Sequence, residues 1–424
     1  MRLRLDRRQL VLLGGAAISL GVAAWVISLA LAPGAGLIGG DFRVFYAAAR
    51  LLAAAGNPYS GAHLNAYAQS IWPAPGIRAV FVNPPAAAIL FLPLLNLSFW
   101  AAYATFTGLG VGAVLLTAGH LLRAMGWRQP LVLCLAVLVS WIGLSGLMLG
   151  QFDALLLAAL LGSLILVRRH SYVGAGMLMG AAWLKPDLMW PAALLLAVAL
   201  WPSRRAVVGY AGGLLLSSVA LLLPAGWLLL PWLRSLLSFG SHLSSQTALA
   251  GLGGWAEAMG GGRLLGATAA TWLMAAAAAV AGLGLLWLGR DLLRPRARGE
   301  SLAWRADWAV ALSLGLWLWL TPYAHSNDDL LLLPLLVLVV GRDASRAGSL
   351  LPGASILALA ALAVVQQFVL LPVSAMPLAV GLLLWSGLRT YRQARGPSHP
   401  GPEPGYAGAA AQIGPLAVVQ GRPQ

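Results

Sequence analysis

The residues able to do chemistry are few, and they fall in short runs between long apolar stretches. Asp41 follows Gly39-Gly40 and opens Phe42-Arg43-Val44-Phe45-Tyr46; Asn57-Pro58-Tyr59 comes further along the same segment. A carboxylate at a wet interface can act as a general base on a hydroxyl. At a helix start it can equally bond the free amides of the first turn, and on residue type alone this capping reading is the stronger one. Asn83, before Pro84-Pro85, has a similar explanation, a cap with proline in the first turn, and is a weaker site candidate. Gly150-Gln151-Phe152-Asp153 and Lys185-Pro186-Asp187 are two further polar junctions. Their bland reading is dipole pairing, with Asp153 and Asp187 at helix starts and Lys185 at a helix end. Lys185 is the sole lysine beside 26 arginines, and a lone ammonium at a membrane edge is suited to hold a lipid phosphate as a point charge.

The last polar run, Thr321-Pro322-Tyr323-Ala324-His325-Ser326-Asn327-Asp328-Asp329, offers Tyr323, His325 and Asp328 as ligands, with one of the two aspartates serving as a cap. His325 can contact a phosphate or an acceptor, although a lone loop histidine is more often merely solvated. His242, Gln246, Trp255 and Glu257, among glycines 251, 253 and 254, read as a flexible binding lid. Asp41, Asp153, Asp187 and Asp328 can coordinate Mg²⁺ or Mn²⁺ if folding gathers them, but nothing in their spacing requires it.

The elements that must position these residues are membrane helices. Of 424 residues, 60% are hydrophobic and 9% charged, against about 25% charged in a soluble domain. Runs such as Leu10 to Leu31, Leu131 to Leu149 and Ala267 to Leu288 approach the roughly 20 residues needed to cross a bilayer. The formal charge of +15 comes from arginines clustered between apolar runs, which is the pattern of loop charges that set topology and not of a nucleic-acid surface. A single cysteine, Cys134, excludes an internal disulfide and a cysteine-based zinc site.

About twelve crossings follow by the length criterion, at 10–32, 98–122, 130–148, 152–167, 172–185, 188–202, 205–224, 264–289, 304–320, 329–341, 350–371 and 376–389. The first, preceded by Arg2, Arg4, Arg7 and Arg8, is long for a cleavable signal and reads as an uncleaved span. With the N-terminus inside, every arginine cluster falls on the cytoplasmic side. Segments 33–97, 149–151, 186–187, 225–263 and 321–328 then lie outside, and with them Asp41, Asp153, Asp187, Glu257, Asp328 and Asp329 at or near the outer edge. Apolar residues at 42, 45, 46, 49 and 52 have helical spacing and predict a helix along the membrane surface. The stretch after Pro85 reads as a re-entrant or interfacial helix. Residues 1–395 form the membrane domain; 396–424, rich in Gly, Pro and Ala, read as a disordered cytoplasmic tail. No internal repeat stands out.

Gly40-Asp41-Phe42 through Tyr46-Ala47-Ala48 to Asn57-Pro58-Tyr59, then Asn83-Pro84-Pro85, Gly150-Gln151, Lys185-Pro186 and Thr321-Pro322-Tyr323 with Asp328/Asp329, resemble in order the motifs of glycosyltransferase family 87, over roughly residues 10 to 390. The resemblance implies an all-α GT-C-like bundle in the cell membrane. It also implies a polyprenyl-phosphate-linked sugar donor, often mannose, and transfer to a glycolipid or glycan hydroxyl on the non-cytoplasmic face with inversion. Asp41 is then the catalytic base. Lys185, His325 and Arg43 are candidates for the donor phosphate, and Tyr46, Tyr59, Asn83, Gln151, Asp153, Asp187, Tyr323 and Asp328 for other substrate contacts. A lipid phosphate leaves without an acid, so one carboxylate is enough. The runner-up is a transporter or lipid flippase, although ion-coupled transport calls for mid-depth charges that these spans lack. A third reading is a non-catalytic scaffold, in which Asp41 is only a cap.

Overall fold

The computed structural model describes residues 38–71, 79–124, 134–135, 137–138, 141–239, 266–294, 301–320, 328–343 and 376–395. Among them every regular element is a helix. In chain order these are α1 (Gly40–Ala53), α2 (Gly61–Ile71), α3 (Pro85–Phe91), α4 (Phe99–Ala124), α5 (Trp141–Leu149), α6 (Asp153–Arg168) and α7 (Tyr172–Met179). They continue as α8 (Pro186–Leu200), α9 (Arg204–Leu222), α10 (Leu229–Phe239), α11 (Gly266–Leu293), α12 (Leu302–Leu320), α13 (Leu333–Asp343) and α14 (Met376–Arg395). Short 3₁₀ turns at Leu92–Asn96, Gly180–Trp183, Leu223–Leu228 and Asp328–Leu332 join several of them.

Most helix bounds lie within a few residues of the apolar runs, because a buried or lipid-facing helix is apolar all round and ends where polar residues return. Among the described residues, three stretches are long and apolar enough to cross a membrane: Phe99–Ala124, Arg204–Leu236 and Ala275–Leu293. The spans at 10–32 and 350–371, the His242 to Glu257 lid and the tail from 396 fall outside the described residues.

Three expectations change. Run 172–185 is not one helix: α7 tightens into the 3₁₀ turn Gly180–Trp183, and Lys185 then sits at the N-cap of α8 with Pro186 at its first position. Lys185 is therefore at a helix start, because proline is accepted in a first turn and not in a helix interior. Residues 225–239 are helical where a loop was expected, since the leucine-rich sequence carries on through the turn Leu223–Leu228 into α10. Finally, α1 forms as the spacing predicts but is covered on several sides: Phe42, Phe45, Tyr46, Ala47, Ala48, Ala49 and Leu51 are all buried.

Close helix approach depends on small residues. A Cβ on Gly176 of α7 would stand 2.0 Å from the Tyr210 carbonyl oxygen, and one on Gly213 of α9 would stand 2.0 Å from that of Val173. The two backbones thus meet where neither has a side chain, the usual way membrane helices gain packing without a hydrophobic drive. α8 is tied to α12 differently. Pro191 inside α8 cannot donate to the carbonyl of Asp187 four residues earlier. The indole Nε1 of Trp317 on α12 donates to that carbonyl instead. Where α6 ends, Arg168 Nη2 and Asp307 Oδ2 of α12 form an ion pair at 2.5 Å, with both side chains largely buried.

Candidate active site

The turn between α5 and α6 organises the polar residues. Gly150 has φ of 75°, its N–H donates to Leu147 O at 3.2 Å, and the Gln151 N–H donates to Gly146 O at 2.9 Å. These two bonds around a left-handed glycine make a Schellman ending, which satisfies carbonyls that the helix terminus would leave open. Tyr103 Oη donates to Leu147 O at 2.8 Å, and the Gly39 N–H donates to Met148 O at 2.7 Å. The start of α1 is thereby fixed against the end of α5. Phe42, Phe91, Phe106 and Phe152 pack beside this junction, with ring centroids of 5.2 Å for Phe42–Phe91 and 4.9 Å for Phe91–Phe106. The side chain before Gln151 must be absent, because a Cβ on Gly150 would stand 2.5 Å from Phe42 Cβ.

Asp41 emerges from this junction half-buried. It is not the N-cap residue of α1: Gly39, with φ of 70°, holds that position. Asp41 lies two positions past the cap, in the first turn, and its Oδ2 accepts from Gln151 Nε2 at 2.6 Å. The same correction applies to Asn83. Pro84 is the N-cap of α3, and the Asn83 side chain reaches away to donate from Nδ2 to Leu184 O at 3.1 Å.

Two residues beyond Gln151, Asp153 begins α6. Lys185 Nζ donates to Asp153 Oδ1 at 2.8 Å and to Asp328 Oδ1 at 2.6 Å. Both carboxylates are 1% exposed and the lysine 9%. An ammonium at a helix start faces the positive end of the dipole, so two carboxylates are needed to hold it there. Next to Asp328, Asp329 is also buried, and neither of its carboxylate oxygens has a hydrogen-bond partner among the described residues. By residue type either of the two aspartates can serve as the cap; the sequence does not single out Asp329 as a site candidate, and its burial is what marks it.

The strap before α3 is held from three directions. Tyr59 Oη donates to Asn83 O at 2.8 Å, Trp232 Nε1 donates to Val82 O at 2.8 Å, and Asn83 itself holds Leu184, the neighbour of Lys185. Burial also pushes the Tyr59 phenol up, which suits a neutral donor. Tyr46 is 1% exposed and its hydroxyl donates to Leu97 O at 2.8 Å, so it braces α1. Arg43 is buried on the same helix. The Asp187 side chain is exposed, while its carbonyl takes the Trp317 indole. Tyr323 and His325 lie outside the described residues. Among those described, no group of three or more His, Cys, Asp or Glu is placed to hold a metal ion; Asp153 and Asp328 converge, but on the ammonium of Lys185.

Apolar helices whose junctions carry a half-buried carboxylate and a buried lysine between two aspartates define a helical membrane protein with a polar site at its helix starts. The chain belongs to glycosyltransferase family 87, whose model matches residues 81–322. That stretch includes Asn83, Gln151, Asp153, Lys185 and Asp187, with Asp41 before it and Asp328 after it. No curated protein matches the chain, and neither does any solved structure. Family membership makes the protein a glycosyltransferase, with a sugar donor and an acceptor as its substrates.

Proposed function

We propose that the protein transfers a sugar, mannose by family resemblance, from a polyprenyl-phosphate-linked donor to an acceptor hydroxyl on the non-cytoplasmic face of the cell membrane. The fold is read as a GT-C-like bundle of about twelve crossings in residues 1–395, with both termini cytoplasmic. Asp41 takes the proton of the acceptor hydroxyl as that oxygen attacks the anomeric carbon. The bond from that carbon to the lipid phosphate breaks on the opposite side, the phosphate leaves as an anion, and the configuration inverts. Lys185 uses two of its three N–H donors on carboxylates, which leaves one for the donor phosphate. Arg43 and His325 supply further positive charge, and a divalent ion, if used, binds with the substrate.

The observation that carries this reading is the state of Asp41. Its carboxylate lies beyond the N-cap position, which Gly39 holds, and is oriented by a side chain from a different helix junction. A structural aspartate in a first turn has no need of such a partner, whereas a base that must meet a hydroxyl at a set angle does. The test is sugar transfer from radiolabelled polyprenyl-phosphate-mannose to a membrane lipid extract, by purified wild type and Asp41→Asn. Transfer by the wild type alone supports donor and base together. Equal transfer by both removes Asp41 from the mechanism.

A further inference from the structure

Gln151 is joined to Asp41 by a single short bond, and its amide has a second end. Nε2 donates to Asp41 Oδ2 at 2.6 Å, as it must, since a carboxylate offers only acceptors and the amide has its donors on nitrogen. The carbonyl Oε1 then points elsewhere, and it is buried without a hydrogen-bond partner among the described residues. A buried amide oxygen left unpaired carries the full desolvation penalty of that group. Few sites keep such a group unless a ligand completes it.

The backbone around Gln151 allows little adjustment. Its N–H is held in the Schellman ending, Gly150 is fixed left-handed against Phe42, and Phe152 packs on Phe45 with ring centroids 4.5 Å apart. The amide is therefore presented by rigid neighbours, the condition under which a positioning contact is effective.

We infer that Gln151 is the positioning residue of the reaction: its N–H fixes the Asp41 carboxylate, and its Oε1 accepts a hydrogen bond from a hydroxyl of the acceptor. This rests on Asp41 being the base. It assigns Gln151 two ends of one hydrogen-bonded chain, from acceptor hydroxyl through the amide to the carboxylate. The group that satisfies Oε1 is a donor; the reacting hydroxyl gives its single O–H to Asp41, so the acceptor presents the neighbouring hydroxyl of a polyol there.

The experiment measures kcat and donor KM for wild type, Gln151→Met, Gln151→Glu and Asp41→Asn as full-length protein in liposomes. The donors are polyprenyl-phosphate-linked mannose, glucose and arabinose, with a membrane lipid extract as acceptor and thermal unfolding recorded alongside. Losing one hydrogen bond to a charged group lowers kcat for Gln151→Met by roughly ten- to a hundred-fold, with donor KM within about three-fold because the donor is not touched. Gln151→Glu keeps the shape of the side chain but sets a second carboxylate against Asp41, and it loses at least as much. A folded Gln151→Met with wild-type kcat overturns the inference, as does a rise in donor KM with kcat unchanged. If Asp41→Asn transfers like wild type, the base reading itself fails, whatever the Gln151 variants do. If wild type transfers from none of the donors, both readings fall.

Discussion

Lys185 Nζ stands 2.6 Å from Asp328 Oδ1 and 2.8 Å from Asp153 Oδ1, joining the starts of α6 and α8 to the turn before α13. Removing the ammonium leaves two buried carboxylates facing each other. Lys185→Met is expected to cost about 3–5 kcal/mol, the usual penalty for breaking one side of a buried pair. Adding Asp153→Asn and Asp328→Asn to Lys185→Met should recover most of that loss. Thermal unfolding in detergent measures both, and a single variant as stable as wild type would remove Lys185 from the framework.

Asp41→Ser separates capping from basicity in the opposite sense. Gly39 holds the cap of α1 and Asp41 lies two positions further on, so the change in stability should stay below about 1 kcal/mol, short of a typical cap loss. Transfer should nevertheless fall by about 10²–10⁴, the range of a lost general base. A large stability loss without a drop in transfer by the folded fraction would restore the structural role.

Gly150→Ala tests the turn that carries Gln151. Alanine must adopt a left-handed conformation, at about 1–2 kcal/mol, and its Cβ must displace Phe42 from 2.5 Å, at about 1–3 kcal/mol more. The expected outcome is a loss of about 2–5 kcal/mol in unfolding measurements, with transfer reduced in the protein that remains folded. Gly108 of α4 has nothing within 4 Å of its added Cβ, and Gly108→Ala serves as the control.

Pro191 and Trp317 form a coupled pair through the carbonyl of Asp187. Trp317→Phe leaves that carbonyl without the indole donor, and losing a hydrogen bond of this kind costs about 0.5–1.5 kcal/mol. Pro191→Ala returns an N–H able to make the intrahelical bond. In a double-mutant cycle the Trp317→Phe penalty should therefore shrink when Pro191→Ala is present. Strict additivity would mean that the indole and the missing helix bond are unrelated.

Arg168→Met leaves Asp307 without its partner at the far end of α6. A cost of about 3–5 kcal/mol is expected, and donor KM measured on the folded protein should stay unchanged, since the pair sits at the opposite end of α6 from Asp153. An equal loss of donor binding would show that this end of the helix communicates with the site.

Much of the helix inventory was legible in the sequence. The runs at 98–122, 152–167, 188–202, 205–224, 264–289 and 304–320 match helices closely, because length and hydropathy alone decide where a chain can bury its backbone polar groups in lipid. The break before Lys185 was less legible: Gly180-Ala181-Ala182-Trp183 is as apolar as a helix, and only packing against α9 shows that it narrows to a 3₁₀ turn. Asp41 and Asn83 each carried a capping explanation from residue type, since Asp and Asn are favoured at caps whether or not they act there. Which residue holds each cap depended on the backbone at Gly39 and Pro84.

Taken alone, the sequence determined that the chain is a helical membrane protein with its reactive residues at helix junctions, and its ordered motifs pointed to the family. Only the tertiary structure decided which of those residues meet: Asp41 with Gln151 across 110 positions, and Lys185 with Asp328 across 143. Hydropathy is local and survives in the one-dimensional record. A hydrogen bond between distant side chains depends on how helices cross, and in this chain that is set by the left-handed turn at Gly150, the bare faces at Gly176 and Gly213, and the shape of an aromatic cluster.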